Sequence, residues 1–193
     1  MISLIIFLFF FPACLGILRQ VILSTELSHQ LLALAIFLLC IEQANMANHD
    51  LQKVTDAKEQ VKDARLNYFQ IITIVTIIME LIGFYLSSIW LGWGSIVILF
   101  GLILFNLFVD IKINSSSENS SENSSQNIIQ IWKISERLPV LIADMVGLLL
   151  ISMWILKIGD FGISLGLFTM TMLYCSIKLF LFFTLLSTRL LIQ

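Results

Sequence analysis

Residues 68–109 read YFQIITIVTIIMELIGFYLSSIWLGWGSIVILFGLILFNLFV, and one charged side chain, Glu80, stands in the whole stretch. Two apolar runs, Tyr68–Ile89 and Leu91–Val109, meet at a turn around Trp90-Leu-Gly-Trp-Gly94. Each run holds close to the ~20 residues that a helix needs to cross about 30 Å of hydrocarbon. Apolar residues occupy nearly every face, unlike a helix lying on a soluble core, which keeps a polar side toward water. The stretch therefore predicts an antiparallel transmembrane hairpin.

The same reading extends outward. Leu138–Leu156 and Phe161–Leu186 predict a second hairpin, turning at Lys157-Ile-Gly-Asp160. Met1–Leu18 and Leu27–Ile41 supply two earlier spans. The latter lies between Glu26 and Glu42 and covers only about 22 Å at 1.5 Å per residue, so its flanks must help it cross. No Lys or Arg precedes the first run, and Phe11-Pro12 stand where a lipoprotein cleavage site wants small aliphatic residues. It reads as a span and not as a cleaved leader. Composition agrees: the 193 residues are 59% hydrophobic and 12% charged, with a mean hydropathy of +0.97, against about 25% charged in soluble domains. The fold class expected is all-α, a polytopic membrane bundle of about six spans.

Orientation follows from Lys and Arg. Lys53, Lys58, Lys62, Arg65, Lys112, Lys133, Arg137, Lys178 and Arg189 fall on one side of the six-span arrangement; Arg19 and Lys157 fall on the other. That excess puts both long loops and both termini in the cytosol. The net charge of −2 offers no clustered basic face for nucleic acid. Few Lys and Arg beside abundant Ile, Phe and Asn fit an AT-rich genome, hence a bacterial plasma or thylakoid-type membrane.

The two hairpins resemble one another. Glu80-Leu-Ile-Gly-Phe-Tyr-Leu-Ser-Ser-Ile-Trp90 aligns without gaps on Asp144-Met-Val-Gly-Leu-Leu-Leu-Ile-Ser-Met-Trp154, an offset of 144 − 80 = 64. Acid matches acid, Gly83 matches Gly147, and Trp90 matches Trp154. Tyr68 and Trp132 share the offset, each 22 residues before its tryptophan. That is about 33 Å of helix, which makes all four aromatics candidate interfacial anchors. A parallel internal repeat is expected, of the kind transporter folds betray. The expected organisation is an N-terminal pair of spans (1–44), a cytosolic helical segment (45–67), hairpin repeat 1 (68–112), a disordered Ser/Asn/Glu linker (113–127) and hairpin repeat 2 (128–193). Within the linker, SSEN-SSEN-SSQN (116–127) has no apolar residue to bury. In the helical segment, Asn48 or Asp50 is the expected cap, above a sparse apolar stripe from Ala47 to Tyr68.

Glu80 and Asp144 then lie near the bilayer midplane, where a carboxylate is costly and must be neutral, paired or in an aqueous cavity. Thr73, Thr76, Glu80, Gly83 and Ser87 recur at helical spacing and share a face. On the last span Thr171 and Lys178 share a face with Ser164 and Cys175, and Asn106 occupies the place matching Thr171. Two readings follow. In one, the acids hydrogen-bond across close helix contacts at Gly83 and Gly147, and the chain is a non-catalytic membrane subunit or assembly factor. In the other, they line the pathway of a small proton- or cation-coupled transporter or channel. The partners expected are lipid and a membrane complex or homo-oligomer.

No enzyme motif is present: there is no G-x-S-x-G, P-loop or H-E-x-x-H. A single Glu26-x-x-His29 lacks the second copy a carboxylate-bridged metal site needs, so neither metal nor cofactor is expected. Cys14, Cys40 and Cys175 are scattered through apolar runs and read as small hydrophobes.

Overall fold

A computed structural model describes residues 2–113 and 129–190. Six helices run α1 (Ile2–Leu23), α2 (Leu27–Gln60), α3 (Ala64–Ser87), α4 (Leu91–Phe108), α5 (Ile134–Ile155) and α6 (Asp160–Leu190). All six are long and apolar enough to cross a membrane. Strands β1 (Ile111–Ile113) and β2 (Ile129–Ile131) pair antiparallel, Ile111 opposite Ile131, between α4 and α5.

The expected cap changes here. The short span Leu27–Ile41 continues without a break into the helical segment expected over 45–67, as the 34-residue α2, about 51 Å long. The junction 42–48 is polar but contains neither Gly nor Pro, so nothing ends the helix there and neither Asn48 nor Asp50 caps it. The break comes at Val61, whose backbone is extended. The all-α expectation holds, with one short addition: the three-residue strands of the ribbon, which takes in Ile113, the first residue assigned to the linker. The tandem tetrad 116–127 lies outside the described residues.

Three turns gather at one end of the bundle. Gln20 Nε2 donates to the Ser87 carbonyl at 2.9 Å, and Lys157 Nζ lies 3.1 Å from Glu26 Oε2. Ser28 Oγ donates to Asp160 Oδ2 at 3.3 Å, joining the start of α2 to the start of α6. Glu26 holds the Lys157 ammonium above its ordinary value. At the opposite, ribbon end, Val54 and Ala57 of α2 pack with Leu66, Phe69, Val109, Ile111 and Ile113. The apolar stripe on lower α2 is therefore covered within the chain.

Between the ends, α2 touches α1, α3 and α6, while α4 lies between α3 and α5. Phe10, Ile17, Leu32, Phe84, Ile98 and Ile151 fill the main core. The hairpins differ: α3 and α4 pack along their length, whereas α5 and α6 part beyond their turn and α6 leans on α2. Large apolar side chains on the outer faces of α5 and α6, such as Leu149, Leu173 and Phe180, stay exposed.

Asp63 caps α3, its Oδ1 accepting from the Arg65 amide at 2.8 Å while Oδ2 takes Arg65 Nη2 at 2.7 Å. Asp63→Ala is expected to fray that turn, read as faster amide exchange at Arg65 relative to its intrinsic rate. Arg65 holds the Asp63 carboxyl below the usual carboxylate range. The cap's contribution is thus complete above the unfolded-state value and disappears as pH falls through the lowered folded value. Protection that stayed constant down to that pH would refute the capping role.

Candidate functional site

The face Thr73, Thr76, Glu80, Gly83 and Ser87 is buried along the whole of α3. Helical spacing puts these residues in one row, and α2 and α4 cover it. Glu80 is 3% exposed and packs near Gly101 of α4, where a Cβ would lie 3.9 Å from Glu80 Cγ. Thr73 Oγ1 donates to its own helix at the Phe69 carbonyl, 2.9 Å away. Glu80 has no hydrogen-bond partner among the described residues. It instead lines a cavity of about 60 Å³ with Thr73, Thr76, Gln43 and Asp50. That space admits a water molecule or two.

Gln43 and Asp50 come from α2 and were not among the site residues that the sequence pointed to; Asp50 was expected only as a cap. The signal was present: Gln43, Ala47, Asp50, Val54 and Ala57 follow at steps of 4, 3, 4 and 3, one helix face once α2 is continuous.

The second acid is held differently. Asp144 Oδ2 accepts from Asn106 Nδ2 at 3.0 Å, and Nδ2 also reaches the Leu102 carbonyl at 3.1 Å. Side chains lean toward the N-terminus of their helix. Since α4 and α5 are antiparallel, Asn106 and Asp144 lean toward each other. Two turns nearer the start of α5, Arg137 is 6% exposed. Its Nη1 donates to the Asn106 carbonyl at 2.7 Å and to the Val109 carbonyl, while the guanidinium sits 5.8 Å from the Trp132 ring centre. Arg137 therefore caps the C-terminal end of α4, where cations are favoured. Arg137 and Asp144 are seven apart, two turns of one face, and together clamp Asn106.

The remaining residues separate. Ser87 is buried where α3 crosses α4 at Gly94. Gly83 makes a close contact, for a Cβ there would meet the Ile98 backbone nitrogen at 2.9 Å; at Gly147 it would meet only the Leu99 methyls, at 3.4 Å. Thr171 lines a different cavity, with Ser95 and Gly147. Lys178 pairs with Glu42 and lies 5.1 Å from the Tyr174 ring. Tyr68 and Trp90 are exposed, Trp132 is half-buried beside the ribbon, and Trp154 is buried against His29. Among the described residues no three His, Cys, Asp or Glu side chains converge to hold a metal. No protein family, curated protein or solved structure matches the chain.

Proposed function

We propose that the chain is a multi-pass membrane protein that acts as a non-catalytic subunit or assembly factor, its helices joined by buried polar contacts. The observation that carries this reading is the Asp144–Asn106–Arg137 seam. There the acid is engaged by an amide and the cation by carbonyls, so the groups brace α5 against α4. The bare outer faces of α5 and α6 fit contact with lipid or with helices of a partner. Excess Lys and Arg on one side supports cytosolic loops and termini. The 64-residue offset supports a duplication whose second copy has opened, since Gly147 no longer forms the close contact that Gly83 forms.

A second reading, proton or cation passage, is favoured by one feature: Glu80 faces a cavity with a second carboxylate, Asp50. One comparison separates the two. Glu80→Gln and Asp144→Asn are made singly, and folded yield in membranes is measured beside proton and sodium flux in proteoliposomes. The subunit reading expects near-normal yield, because the Asp144→Asn amide oxygen still accepts from Asn106 and Glu80→Gln breaks no hydrogen bond, with flux at the level of empty liposomes throughout. Flux in the parent chain that Glu80→Gln abolishes at unchanged yield would overturn it. A chain that stays solitary and monodisperse after gentle extraction from its native membrane would also count against it.

A further inference from the structure

Cys14 of α1 and Cys40 of α2 lie 26 residues apart in sequence, yet their sulfurs are 3.0 Å apart. A disulfide needs about 2.05 Å, so a closure of about an ångström bonds them. Cys40 is fully buried, whereas Cys14 also forms part of the wall of a 530 Å³ cavity between α1 and α2. Phe7, Phe11 and Phe37 line that cavity, and Glu42, Asn45 and Asn48 supply its polar lining. Asn48 Oδ1 accepts from Gln52 at 3.4 Å, so its NH₂ group is the donor it can offer a ligand. Aromatic walls, amide donors in the lining and a thiol alongside suit a planar, apolar ring bearing carbonyl oxygens.

We infer that Cys14 and Cys40 form a redox-active dithiol and that the adjoining cavity admits its oxidant, a lipid-soluble quinone. Both S–H bonds break and one S–S bond forms between the two residues. The two electrons and two protons released reduce the quinone carbonyls to the two hydroxyls of the hydroquinone. The disulfide then ties α1 to α2. The choice of oxidant depends on the chain residing in a membrane; the pairing of the thiols does not. Alkaline-carbonate extraction tests residence separately, since a peripheral chain would be released.

The test uses the full chain, reduced, freed of reductant and held without oxygen in lipid nanodiscs, with a short-chain ubiquinone as probe. One quinone is expected to be reduced per chain, with the intact mass falling by two hydrogens. After denaturation, maleimide should label Cys175 and neither Cys14 nor Cys40. Cys40→Ser should reduce quinone consumption to background, and Cys175→Ser should leave it unchanged. Asn48→Leu should slow oxidation by the quinone about tenfold, the equivalent of one hydrogen bond, without altering oxidation by diamide. Unreduced quinone with both thiols still labelled would overturn the inference, as would closure by diamide alone.

Discussion

Gly94→Ala is expected to destabilise the bundle by about 3 kcal/mol, the upper end of what overpacking costs, and to depress folded yield in membranes. A Cβ at Gly94 would lie 2.5 Å from the Gly83 carbonyl oxygen and closer still to the Ser87 backbone nitrogen. Both obstacles are main chain, so no rotamer relieves the clash and α3 must move away from α4. The main core would open with it, since Phe84 and Ile98 flank the crossing. Gly147→Ala supplies the contrast. Its new methyl group would meet only the flexible ends of Leu99, at 3.4 and 3.5 Å. There the usual gain of about 0.5–1 kcal/mol on replacing a helical glycine should prevail. Reversible unfolding in mixed detergent micelles reads both changes. Equal midpoints for Gly94→Ala and the parent chain would refute the close crossing of α3 and α4.

Gly147 and its counterpart in the first hairpin, Gly83, also show what the sequence could and could not disclose. Gly83 and Gly147 occupy matching places beside matching acids, and their sequence surroundings give no hint that only one lies in a tight contact. The difference comes from α5 and α6, which diverge after a turn where Lys157 and Gly159 both take left-handed backbone angles. Trp90 and Trp154 tell the same story: one is 62% exposed and the other 7%. His29 and the start of α2 cover Trp154, a tertiary contact invisible to a 64-residue offset. The six apolar helices were legible because each carries its own signal of length and hydropathy. So was the buried face of α3, whose spacing repeats locally. Asp50 and Gln43 were missed because polar residues ended the apolar run in α2, although nothing there ends a helix. The ribbon was missed because Ile-Lys-Ile and Ile-Gln-Ile are too short for alternation to register. Cys14 and Cys40 meet only because α1 folds back along α2 in one particular register.

The last prediction concerns the group that sequence reasoning counted merely as a topogenic charge. Arg137→Met should cost about 2 kcal/mol, the range expected when buried acceptors lose their donor. The Asn106 and Val109 carbonyls lie past the end of the α4 hydrogen-bond ladder, and Arg137 Nη1 serves both. Methionine keeps much of the apolar stem that lies along the protein but returns no donor. Arg137→Lys should recover part of the loss, since it retains the charge at a helix C-terminus without the guanidinium fork. Glu80→Met should behave oppositely, neutral or slightly stabilising, because that carboxylate is buried without a hydrogen bond to lose. A double-mutant cycle between Asp144→Leu and Asn106→Leu should reveal coupling of about 0.5–3 kcal/mol, because these two side chains hydrogen-bond to each other across the seam. Strict additivity would mean that the Asp144–Asn106 contact contributes nothing between α4 and α5, and the seam would then lose its standing as the feature that organises this end of the bundle.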